Sequence, residues 1–184
     1  MAPAHPLMTV EEYFTQTPLT RKPTELVYGV LRAADSPTPR HQSAVAELFR
    51  ALDAHVRARE LGRMWLAPLD VVLSLRHALI VQPDLFFVSN EREWIVTDRV
   101  RGAPDLVVEV LSPDPRIGKT EERVRWFAEN GVRECWLVHQ DQRAATVIQF
   151  VDFRVATEHQ FARHERILST VLPDFSASLD EILE

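Results

Sequence analysis

The amino-acid sequence predicts one α/β domain spanning residues 1–184. Three observations lead there. Runs of Val, Leu, Ile and Phe at 78–89 and 104–112 are nearly continuous, as in strands covered on both faces. One long stretch, 41–61, carries its apolar residues at helical spacing. Between 104 and 139 the pattern of strand, helix and strand has the length of a crossover unit. A chain of 184 residues fits one domain. At that size it buries about 70% of its unfolded surface and needs no disulfide or structural metal to fold.

Taken in order, TVEEYF opens with Thr9 and places Glu12 three residues later, the capping-box pattern of a helix start, predicting a short helix over 9–16. ELVYGVLRAA (25–34) is β-prone on both sides of Gly29 and reads as extended chain or a hairpin, followed by the proline-bounded loop SPTPR. From His41 onward, Val45, Leu48, Phe49, Leu52 and Val56 fall on one helix face, and Gly62 supplies the stop. Three apolar runs, 65–75, 78–89 and 104–112, read as strands. A second helix is expected from about Arg116 to Asn130, closed by Asn130-Gly131. RECWLVHQ (133–140) and TVIQFVDF (146–153) read as further strands around the polar turn QDQR. The tail has a β-like stretch at 167–171 and a short terminal helix in SLDEILE.

Composition narrows the classes. The hydrophobic share of 46% and charged share of 26% are those of an ordinary globular protein. Cys135 is the only cysteine, which leaves no disulfide framework and no thiolate zinc cluster, and its apolar setting ECWLV predicts a buried thiol. The N-terminal stretch lacks a basic segment followed by an apolar one, and no run of about 18 apolar residues occurs, so neither a signal peptide nor a membrane span is expected. A cytoplasmic protein is the resulting expectation. The net charge of −6 argues against indiscriminate nucleic-acid binding. Even so, Arg99, Arg101, Arg116, Lys119, Arg123 and Arg125 cluster in sequence near the acids described next, and Lys22 and Lys119 are the only lysines. The four tryptophans, Trp65, Trp94, Trp126 and Trp136, are expected to pack in the core.

The informative feature is a pair of acidic residues set in apolar strands: Asp84 in Pro83-Asp84, and Glu109 in PDLVVEVLSP at 104–113. A buried carboxylate is costly unless it is paired, hydrogen-bonded or bound to a metal. Side chains alternate along a strand, so Asp105, Val107, Glu109 and Leu111 share one face. If the Asp84 and Glu109 strands are neighbours, their carboxylates converge on one hard cation, Mg²⁺ or Mn²⁺.

Pro83-Asp84, then about twenty residues, then PDLVVEVLSP, a helix and G-V-x-E-x-W-L-V together resemble the Uma-type endonuclease family of the PD-(D/E)XK restriction-endonuclease-like superfamily, long known only as a domain of unknown function. Glu25-Leu26-x-x-Gly29, Pro39 and His41 resemble that family's N-terminal half. The resemblance runs from Thr9 to about Phe150. It implies a restriction-endonuclease-like mixed β-sheet flanked by α-helices. Asp84, Glu109 and the Val110 carbonyl would be metal ligands, and Asp105 and Glu25 accessory acids. His41 matches a family position at the start of the long helix, as a helix-start hydrogen bond or a phosphate contact. The superfamily lysine would stand where this chain has Leu111. In the family the basic residue lies on the next helix, in the pattern Asp, Lys, Tyr at four-residue steps; here those positions read Lys119, Arg123 and Phe127.

Three functions compete at this level. The first is a metal-dependent endonuclease cutting DNA, expected as a homodimer because cutting two strands favours two sites. There Lys119 would point at Glu109 and orient the attacking water while Arg123, four residues on along the same helix face, holds phosphate. The second is a catalytically inactive relative serving as a nucleic-acid or protein interaction module, favoured by the altered helix motif and the acidic charge. The third, a metal-free acid–base pair of Asp84 and Glu109 as in glycosidases, lacks an evident aromatic platform for a sugar.

Overall fold

The computed structural model describes residues 7–17, 22–111 and 117–183. Helix α1 (Val10–Gln16) begins at Thr9, whose hydroxyl accepts from the Glu12 amide while the Glu12 carboxylate accepts from the Thr9 amide. Strands β1 (Thr24–Val27) and β2 (Val30–Ala33) pair antiparallel around a two-residue turn. Tyr28 and Gly29 there both take positive φ, 50° and 79°, as such turns require. Helix α2 (Pro39–Ala58) is capped by Thr38 and buries Val45, Leu48, Leu52 and Val56, the stripe that the periodicity predicts.

The run 65–75 is not one strand. It splits into β3 (Gly62–Leu66) and β4 (Val71–Ser74) around Pro68. The run 78–89 splits in the same way, into β5 (Leu79–Val81) and β6 (Leu85–Ser89), around Gln82, Pro83 and Asp84. Proline has no N–H to give a ladder, so each run changes sheets at its proline. The chain continues through a 3-10 turn, Asn90–Ile95, then β7 (Val100–Arg101), β8 (Leu106–Leu111), α3 (Thr120–Glu129), β9 (Glu134–His139), β10 (Ala144–Val151), β11 (Arg154–Phe161) and α4 (Leu179–Ile182).

Two mixed sheets result, rather than a single one. The larger has the order β11-β10-β9-β8-β6-β3 and the smaller β2-β1-β5-β4-β7. β8 and β9 are parallel, joined by α3 as the crossover spacing predicts. One face of the larger sheet is covered by α2 and the C-terminal tail, through Leu48, Leu52, Val108, Val110, Trp136, Ile167, Leu172 and Phe175. Its other face meets α3 and the smaller sheet, through Phe86, Val107, Cys135, Phe127, Val71 and Val81. Helix α1 closes the far side of the smaller sheet, where Val10 and Tyr13 pack on Leu26, Val72 and Ile80. Among the described residues no helix is long and apolar enough to cross a membrane.

Several expectations change. Helix α3 starts at Thr120, later than the sequence suggests; Arg116 lies outside the described residues. The stretch 167–171 is not a strand. Its Thr170 amide donates to the Glu134 carboxylate and Ile167 N to Ala177 O, which anchors the tail across the sheet. Two strands lie outside the predicted runs: the two-residue β7, and β11, which is exposed on both faces until Phe161 and so carries no apolar alternation to read. β11 is held by its hairpin with β10, through a turn at Asp152 and Phe153 with φ of 49° and 61°. Trp136 and Trp126 are core residues and Trp65 is half-buried, but Trp94 is 74% exposed. Cys135 is fully buried, and that burial pushes its thiol well above the usual range.

Candidate active site

The switch between sheets builds the site. Asp84 ends the connection from β5 to β6, and Leu85 stands opposite Val108 in the antiparallel β6–β8 ladder. One step beyond that pair, Asp84 lies beside Glu109, as the sequence expects of two neighbouring strands. The Val110 amide donates to Asp84 Oδ2 at 2.9 Å, and His41 Nε2 lies 3.2 Å from the same oxygen. His41 also starts α2, where its amide donates to the Thr38 hydroxyl at 3.2 Å. His41 thus makes the helix-start hydrogen bond through its main chain and contacts Asp84 through its side chain.

Glu25 joins from the smaller sheet. Its Oε1 accepts from the Gln82 amide at 2.7 Å and its Oε2 from Arg123 Nη1 at 2.8 Å. Arg123 reaches in from α3. Its Nε and Nη2 both donate to Glu109 Oε1, at 3.1 and 2.7 Å. Nη1 also donates to the Ile117 carbonyl at 3.3 Å, and the guanidinium lies 5.7 Å from the Phe127 ring. Gly118, with φ of 72°, packs against Trp126; a Cβ there would come within 2.8 Å of the indole. Together Glu25, Asp84, Glu109, Val110 and Arg123 line an open cleft of about 250 Å³, with Gln82 and Thr120 on its wall.

Three acids face one arginine and one histidine. Burial drives the Glu109 carboxyl upward; Arg123 opposes the shift, Asp84 and Glu25 add to it, and the outcome is a rise from 4.5 to about 7. The same carboxylates hold the Arg123 guanidinium firmly protonated, against its burial. The ligands on offer are hard oxygens, of the kind that suits Mg²⁺ or Mn²⁺. Among the described residues no group of three or more His, Cys, Asp or Glu side chains is placed to hold a metal ion. An ion held in the cleft would rest on the Asp84 and Glu109 carboxylates and complete its shell with water.

Two of the residues read as site members lie elsewhere. Asp105 sits just before the opposite end of β8, four residues and about 13 Å along the chain from Glu109. It is fully buried, accepts from the Ser89 amide at 2.8 Å and pairs with Arg92 and Arg133, so it belongs to the framework. Lys119 is not among the residues that line the cleft. It is the residue before the helix, with extended φ and ψ of −77° and 154°, so the helix face that it would share with Arg123 does not include it. Its side chain is exposed, and Gly118 and Thr120 line the cleft in its place. Gln82 went unread; its only sequence signal is its place before Pro83-Asp84.

The chain is similar to known proteins over nearly its whole length. No curated protein matches it. A solved structure from Anabaena variabilis ATCC 29413, described as a putative nuclease belonging to DUF820, has the same fold with a TM-score of 0.77 and 18% identity, covering 96% of this chain and 97% of that one. The model of the Uma2 family, described as "Putative restriction endonuclease", matches residues 10–180. With that match spanning almost all of the sequence and the fold agreeing, the chain belongs to the Uma2 family.

Proposed function

We propose that this protein is a metal-dependent nuclease that hydrolyses phosphodiester bonds of DNA in the cytoplasm, with Asp84 and Glu109 holding Mg²⁺ or Mn²⁺. One observation carries the reading: two acids from neighbouring strands line one solvent-open cleft, with an arginine between them and the helix that follows. A bound divalent ion supplies an activated water and neutralises charge on the phosphate. The chain's residues do the positioning. The Val110 amide and His41 fix the Asp84 carboxylate so that it does not reorganise during the reaction. Arg123, whose planar fork matches phosphate, orients the scissile diester. This gives Arg123, and not the exposed Lys119, the part of the lysine that Leu111 replaces.

Plasmid cleavage tests this. Nicking or linearisation that needs Mg²⁺ or Mn²⁺, and is lost in Asp84→Ala and Glu109→Ala while circular dichroism stays native, is the expected result. DNA binding should weaken steeply with salt, because phosphate contacts release counterions. Cutting both strands calls for two cleft-bearing copies, so light scattering should find a homodimer at least when DNA is bound. Failure to cut any DNA, with retained DNA or protein binding, would favour an inactive interaction module, the reading suggested by the altered helix motif.

A further inference from the structure

The guanidinium of Arg123 stands where a cation would: two of its N–H groups hold Glu109 Oε1 and a third holds Glu25 Oε2. Its two partners are not equivalent. Glu25 is a fixed post, because its other oxygen accepts from the Gln82 main chain at 2.7 Å and its side chain is 4% exposed. Glu109 is the site acid, and its Oε1 carries both Arg123 bonds. If Arg123 lets go of Glu109, it keeps Glu25 Oε2 and the Ile117 carbonyl and is not left as an unpaired buried charge.

We infer that Arg123 is a tethered cation that occupies Glu109 until a divalent ion takes its place, and that the guanidinium so released, still moored on Glu25, becomes a phosphodiester-binding group of the same cleft. This rests on the metal-site reading above and adds its regulation: metal and phosphodiester bind cooperatively because one residue serves both. Two reasons favour exchange over permanent pairing. The cluster of Glu25, Asp84 and Glu109 exceeds the single charge of Arg123, so a doubly charged ion neutralises it better. The pivot also retains hydrogen bonds at both ends of its travel. By linkage, whatever factor the ion contributes to phosphodiester affinity, the phosphodiester returns to ion affinity.

The test uses the intact protein with Mg²⁺ alone as the first probe. In NMR spectra of side-chain N–H groups, titrating Mg²⁺ should move the Arg123 Nε–H resonance and speed its exchange with water as it leaves Glu109. Dimethyl phosphate added next should move the same signal only when Mg²⁺ is present. Calorimetry should show Arg123→Gln binding Mn²⁺ at least tenfold more tightly than the wild type. Mg²⁺ binding that perturbs Asp84 and Val110 but leaves Arg123 Nε–H unchanged would overturn the exchange while leaving the metal site standing. A response to dimethyl phosphate that is the same with and without Mg²⁺ would overturn the coupling. Should Arg123→Gln not fold, the wild-type spectra decide alone. No ion binding by either protein overturns the metal site and this inference together.

Discussion

At the scale of single residues, three acids with similar sequence settings do three different jobs, separated by their neighbours. Glu109 meets one arginine and two other acids; Asp105 meets two arginines and a main-chain amide; Glu134 meets Trp136, Ser169 and Thr170. Glu109 is raised to about 7, so the folded protein takes up a proton there that the unfolded chain, near 4.5, does not hold. Its contribution to stability is therefore fully present below about 4.5 and lost as pH rises through about 7. Denaturant unfolding across that window should show Glu109→Gln gaining on the wild type as pH rises; parallel curves would contradict it. Asp105→Ala should behave differently. It leaves a buried amide and two arginines without their acceptor, so we expect a loss of about 3 kcal/mol in unfolding free energy with metal-dependent cleavage retained in the folded fraction.

At the scale of elements, the ends of segments decide more than their middles. Pro83 ends β5, moves the chain from one sheet to the other and leaves Asp84 at the seam. The tail is fixed from β9, where the Glu134 carboxylate takes hydrogen bonds from the Thr170 amide and hydroxyl, both at 2.8 Å, and from the Ser169 hydroxyl. Removing it in Glu134→Ala strands those donors beneath Ile167 and Leu172. A cost of about 3 kcal/mol is expected, with hydrogen exchange rising first in residues 165–175. A mutant whose tail amides stay as protected as the wild type's would refute that anchoring role. By contrast, Thr9→Ala removes only the cap of a seven-residue helix, and about 1 kcal/mol should be lost.

At the scale of the whole molecule, the site lies where two sheets and two helices meet, so anything that binds it ties together elements distant in sequence. Glu25 and Arg123 are 98 residues apart, and His41 and Asp84 are 43 apart. A cation bound by Asp84 and Glu109 stabilises only the assembled fold. At a hundredfold excess over its Kd it should contribute about 2.7 kcal/mol, which for a chain of this length raises Tm by roughly 5–10 °C. Differential scanning calorimetry should find that rise with Mn²⁺ in the wild type and none in Asp84→Ala or Glu109→Ala. An equal rise in all three would mean that the ion binds elsewhere.

The sequence by itself determined the α/β class, the capped first helix, the apolar stripe of α2, the β8–α3–β9 crossover, and the pairing of Asp84 with Glu109. Each of these is written in local spacing or in the cost of an acid within an apolar strand. It also singled out Glu25 through resemblance to a family, and Arg123 through that resemblance and its place in the basic cluster near the acids. Tertiary structure alone decided the rest. Which acids share a cleft depends on which strand ends meet, so Asp105 fell to the framework although it alternates in phase with Glu109. Lys119 was lost to the site because a helix began one residue after it. The division into two sheets, the polar strand β11 and the Glu25–Arg123–Glu109 bridge all rest on contacts between distant segments, which leave no periodic trace in the sequence.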